Sequence, residues 1–107
     1  MTHAPQIHVL ARITLHPGAR SAWLSAFRTV QPLVHAEDGC FAYDATADAP
    51  GVLGAQVLAG EDTVIIVERW RDEAALKAHS TAPHMTAYRE AVKPLVAGVR
   101  IEVLRPL

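Results

Sequence analysis

The sequence predicts an α+β sandwich: two β-α-β units folded into a four-stranded antiparallel sheet with helices on one face. Three observations carry this. Strand-like apolar runs recur at four places along the 107 residues, segments of helical spacing follow the first and third, and the resulting order is βα-β, βα-β. A short internal echo agrees, since Val30-Gln31-Pro32-Leu33-Val34 precedes the second strand as Val92-Lys93-Pro94-Leu95-Val96 precedes the fourth.

The first strand is Ile7–Leu15, with Ile7, Val9, Ala11, Ile13 and Leu15 on one face at period two. His8, Leu10, Arg12 and Thr14 take the other face. His16-Pro17-Gly18 breaks the strand, and Pro17 is suited to start a helix. Trp23, Phe27, Val30 and Val34 then recur on one helical stripe, which Pro32 is expected to kink or loosen near its end. Glu37-Asp38-Gly39 stops that helix and Cys40–Thr46 is the second strand. Ala47–Asp62 holds Pro50 and several glycines around the apolar run Val52–Leu58, a loop with room for a short strand or turn.

The third strand, Thr63–Trp70, carries the unbroken run Val64–Val67, which asks for cover on both faces. Asp72 is a natural N-cap for a short helix ending at His79. Pro83 opens another helix whose apolar face includes Met85, Tyr88, Val92 and Val96; Gly98 is expected to end it, and Val99–Leu104 to be the last strand. Two β-α-β units of this size make a ferredoxin-like split βαβ sandwich. Its helices cover one side of the sheet only, so the apolar second face predicts a homodimer stacked sheet to sheet.

Composition narrows the function classes. Ten basic and eleven acidic residues leave no excess of positive charge for nucleic acid. No run reaches the length of a membrane span and the start MTHAPQIHVLAR is not ordered like a signal peptide. With the lone Cys40, this reads as a single cytoplasmic domain. The six histidines lack metal-ligand spacing: His79 and His84 are five apart across a helix break, and His3 and His8 lie near the start. No glycine-rich nucleotide cradle appears, so neither a metal nor a nucleotide cofactor is expected.

Two patterns, Glu-x-Gly-Cys-x-x-Tyr at Glu37–Tyr43 and Glu-x-Trp-x-Asp-x-x-Ala-Leu-x-x-His at Glu68–His79, join the ARITLHPG start and the IEVLRPL ending in a wider likeness. Through them the chain resembles the antibiotic biosynthesis monooxygenase family, in its small quinol-monooxygenase-like branch. The resemblance implies a dimeric α+β barrel with an apolar cavity between sheet and helices. It also implies cofactor-free oxygenation of quinol, phenol or polyketide-like aromatics by O2. Haem-degrading members use an Asn, a Trp and a His that would fall at Ala11, His79 and Arg89, so haem chemistry is disfavoured. Two alternatives stand beside it, a non-catalytic barrel binding a small apolar ligand and an isomerase of the same fold.

Within that frame His79 is the candidate base, because an imidazole titrates near the operating pH and the phenolate it generates can pass an electron to O2. The plainer role for His79 is to cap its short helix. Glu68 and Trp70 share a strand face; Glu68 is read as an orienting group for His79 or a framework carboxylate, and Trp70 as a stacking surface or core. Tyr43 and Tyr88 are candidates to hold a quinol oxygen, Met85 to line the cavity, and Arg12 to steady an anionic intermediate or to make an interface salt bridge.

Overall fold

The computed structural model describes residues 6–107, so His3 lies outside the described residues. The elements are β1 (Ile7–Leu15), α1 (Arg20–His35), β2 (Cys40–Thr46), β3 (Thr63–Trp70), α2 (Glu73–Ser80), α3 (Pro83–Val92), a 3-10 turn (Lys93–Leu95) and β4 (Val96–Leu104). The strands form one antiparallel sheet in the order β2-β3-β1-β4, the ferredoxin-like arrangement.

Strand periodicity decides which side the helices cover. β1 buries Ile7, Val9, Ala11, Ile13 and Leu15, and β3 buries Val64, Ile66, Glu68 and Trp70 on the same side. α1 lays Trp23, Phe27, Val30 and Val34 on that layer, spaced so that one stripe of the helix faces the sheet. No helix among the described residues covers the outer side. There Ile65 is half-buried, while Val67, Phe41 and Leu104 remain exposed, so the described residues cover the apolar run of β3 on one side only.

Local chemistry moves three expected boundaries, the start of α1, the end of α3 and the start of β4. α1 begins at Arg20 because Pro17 and Gly18 form a turn first, and it runs through Pro32 to His35. Proline removes one donor there, within the last turn, and the Ala36 N–H still closes on the Pro32 carbonyl at 3.1 Å. At the other end, Gly98 does not terminate α3. The helix stops at Val92 and passes into the turn holding Pro94, which has no N–H to continue the ladder; Gly98 lies inside β4, opposite Thr14.

The segment Ala47–Asp62 holds neither strand nor helix. Its own side chains tie it. The Asp48 carboxylate accepts from the N–H groups of Ala59 and Gly60 at 2.9 Å each, and Gln56 Oε1 accepts from Val52 and Leu53 at 2.9 and 2.7 Å. No helix among the described residues is long and apolar enough to cross a membrane.

Candidate active site

A cavity of about 610 Å3 lies between the sheet and the second and third helices. Sheet register builds its floor: Tyr43 of β2 pairs with Glu68 of β3, which pairs with Val9 of β1, which pairs with Val103 of β4. The next row adds Ile66, Ala11 and Ile101. Leu76 and His79 of α2 and Met85 and Tyr88 of α3 form the walls. Val99, Ile101 and Val103 line the cavity yet are more than half exposed, so it opens along the β4 edge.

His79 enters this space from the last turn of α2. Asp72 starts that helix as expected, its carboxylate accepting from the Ala75 N–H at 2.9 Å. The imidazole is not a helix cap; it is buried, with Tyr43 edge-on at 5.3 Å and Trp70 at 4.6 Å between ring centres. Its Nδ1–H donates to Glu37 Oε2 at 2.9 Å, and His84 Nε2–H donates to the same oxygen at 2.7 Å. A carboxylate only accepts, so both of these nitrogens carry hydrogen and the His79 Nε2 lone pair is left free. That Nε2 makes no hydrogen bond among the described residues. Burial lowers the His79 titration below its ordinary 6.5 despite the opposing pull of Glu37, so the ring is a neutral base at pH 7.

Glu37 reaches α2 because Gly39 lets the turn before β2 approach closely. Gly39 has φ +83°, and a Cβ there would lie 2.7 Å from the Ala75 Cβ. The chain can make that contact only with hydrogen in the side-chain position.

Glu68 faces the cavity at 6 % exposure and accepts from Trp70 Nε1–H at 3.0 Å. Burial pushes its titration from 4.5 up to about 7, the indole bond partly opposing and Glu37 adding to the rise. Burial also pushes the Tyr88 hydroxyl up to about 12 and Tyr43 higher still. Both tyrosines therefore keep their protons and remain donors at neutral pH. Burial likewise raises the Cys40 thiol to about 11, which makes it a poor nucleophile.

The expected site residues thus separate by location. His79, Glu68, Tyr43, Tyr88 and Met85 line one cavity. Trp70 is fully buried and is not among the lining residues; it holds Glu68 and packs against His79, so its place is beneath the site. Arg12 is a correction. It projects from the helix-free side of β1 and its Nε–H donates to Glu102 at 3.1 Å, leaving it no access to the cavity. The cations lining the cavity are instead Arg89 of α3 and Lys93 of the 3-10 turn, neither with an ion-pair partner among the described residues. Glu68 does not orient His79; Glu37 does. Glu37 carried a motif signal as part of Glu-x-Gly-Cys-x-x-Tyr, whereas His84 and Arg89 carried none. No group of three or more His, Cys, Asp or Glu side chains among the described residues is arranged to hold a metal ion.

Comparison with known proteins gives consistent matches. The model of the family described as antibiotic biosynthesis monooxygenase matches residues 6–91. The chain is 38 % identical over 100 residues to the Escherichia coli K12 protein named Probable quinol monooxygenase YgiN, covering 92 % of this chain and 95 % of that one. The solved structure of Rv0793 from Mycobacterium tuberculosis has a TM-score of 0.77 at 33 % identity over 95 % of each chain. That of PA3566 from Pseudomonas aeruginosa has a TM-score of 0.81 at 26 % identity, covering 100 % of this chain and 99 % of that one.

Proposed function

The chain belongs to the antibiotic biosynthesis monooxygenase family, and we propose that it is a cofactor-independent monooxygenase oxidising a quinol-like or related phenolic aromatic with O2. The observation that carries this reading is the His79–Glu37 pair. It presents a neutral imidazole, fixed with Nδ1–H outward, to an apolar cavity of about 610 Å3. His79 Nε2 takes a phenolic proton and Glu37 positions the imidazolium that forms. Tyr43 and Tyr88 donate hydrogen bonds to substrate oxygens, Met85 packs on the ring, and Arg89 and Lys93 are the cations available to the anionic intermediate. The phenolate passes one electron to O2, the two radicals combine at a ring carbon, and the resulting hydroperoxide loses water.

The working unit in this reading is a homodimer. Phe41, Val67 and Leu104 leave an apolar outer sheet face with the Arg12–Glu102 pair among them, and a second copy stacked there by two-fold symmetry would cover it. Sedimentation at twice the 11.6 kDa chain mass is the expected result, and a monomer at all concentrations would remove the dimer from the reading.

The test of activity is an oxygen electrode with a panel of quinols, run with and without chelator. Wild type is expected to consume O2 in both, with His79→Ala slower by about 100-fold or more. A wild type that consumes no O2 with any member overturns the monooxygenase reading and leaves a ligand-binding barrel.

A further inference from the structure

The proposed reaction takes protons from the substrate and must also return one to the oxygen that departs as water. We infer that Glu68 is the catalytic acid: it enters the cycle as a neutral carboxylic acid and protonates the leaving hydroxide when the hydroperoxide collapses. This assignment rests on the monooxygenase reading above.

Among the described residues no cation is paired with Glu68 to keep it ionised, and Arg89 and Lys93 line the cavity only from its exposed edge. It sits mid-row in the cavity floor, and its one side-chain hydrogen bond among the described residues comes from the Trp70 indole to Oε1. It has no ion-pair partner among the described residues. A carboxylate among Val9, Ile66 and Met85 has only the indole N–H to replace its lost hydration, so the site favours the protonated acid. Because Oε1 accepts from the indole, the proton is carried by Oε2, the oxygen without a partner. The polar groups around it favour or tolerate that state: Glu37 repels a second negative charge, Tyr43 and Tyr88 are neutral, His79 is neutral, and Arg89, Glu90 and Lys93 are exposed at the cavity edge. β1 and β4 contribute only Val9 and Val103 in this row. Burial raises its titration to about 7, so at neutral pH a large share of the molecules holds the proton. Neither tyrosine competes as a donor, since burial makes each a still weaker acid.

The protons balance. His79 takes the phenolic proton and returns it to the peroxide anion, giving the ring hydroperoxide. His79 then removes the hydrogen from the carbon bearing that group, its electron pair forms C=O, and the O–O bond breaks. The departing hydroxide takes the Glu68 proton and leaves as water. Transfer from the His79 imidazolium back to the Glu68 carboxylate resets both groups, and quinol plus O2 has become hydroxyquinone plus water.

Glu68→Gln tests this, because the amide oxygen can keep the Trp70 bond while the acid is lost. The expected result is a kcat lower by about 100-fold, with first-turnover O2 uptake at the wild-type rate. The stalled adduct then eliminates hydrogen peroxide in place of water. A merely structural role would slow uptake and water loss together, and that outcome, or unchanged product formation, overturns the assignment. Infrared spectra of the resting protein give a readout independent of turnover. On the acid side of the titration, wild type should show a buried protonated-carboxyl C=O stretch that Glu68→Gln lacks, and its absence also overturns the assignment. No O2 uptake by wild type overturns the monooxygenase reading itself, and is thereby distinguished from a failure confined to Glu68.

Discussion

Replacing Glu68 with Gln should stabilise the protein at alkaline pH and do little at acid pH. In the folded protein Glu68 titrates at about 7, against an ordinary value of 4.5. Between those values the folded protein holds a proton that the unfolded chain has released. Stability therefore falls as pH rises from 4.5 towards 7, and the full penalty is present above that range. At about 1.36 kcal/mol per tenfold change, this rise amounts to about 3 kcal/mol, a ceiling for a group at 6 % exposure. That is a large share of the roughly 5–15 kcal/mol that holds a domain of this size together. Urea unfolding of wild type and Glu68→Gln at matched protein concentration, from about pH 5 to about pH 8, measures it as a difference of free energies. The variant should gain on wild type by a margin approaching about 3 kcal/mol across that range. A difference that stays flat with pH, or that favours wild type more strongly at about pH 8, refutes the reasoning, because the carboxyl would then be ionised or paired.

The same protocol on His79→Gln should show the opposite slope. Wild type loses stability as pH falls below 6.5, where the unfolded chain binds a proton that the buried ring resists, and the variant lacks that loss. Nitrogen NMR of wild type should find His79 protonated at Nδ1 and bare at Nε2; Glu37→Gln, which can donate as well as accept, should mix the tautomers and cut O2 uptake by at least about 10-fold. Asp72→Ala removes the cap on the Ala75 N–H and should cost about 1 kcal/mol in chemical unfolding. Gly39→Ala meets both a positive φ and the Ala75 side chain, so a loss of about 1–3 kcal/mol is expected, with weaker coupling of Glu37 to His79 in the NMR spectra.

Local signals in the sequence were sufficient for the elements and for one half of the site. Period-two burial in β1, the helical stripe Trp23–Val34 and the Asp72 cap each depend on residues a few positions apart, and each appears where its pattern places it. The bond between Glu37 and His79 spans 42 positions and that between Glu37 and His84 spans 47; only the folding of the turn before β2 onto α2 brings them together. Arg12 shows a different limit. Alternation placed it correctly with His8 and Leu10, but period two does not state which side of a sheet receives the helices. Gly98 does not act as a helix stop, since Pro94, which lacks an N–H, lies in the turn that already ends α3.

The position of β1 has a consequence for how the molecule is made. β1 is central, and its residues His8–Leu15 pair on one side with a strand that is translated only after residue 95. Until that stretch leaves the ribosome, the buried edge of β1 has its hydrogen-bonding groups unsatisfied, and the cavity lacks the Val99–Val103 part of its floor. A nascent chain halted just short of β4 would therefore carry His79 and Glu68 but only three of the four strands of the sheet. Completion of the sheet, and with it the apolar setting the proposed chemistry uses, waits for residues 96–104 to be synthesised, and the exposed edge of β1 in that interval is where chaperone contact and misassembly would concentrate.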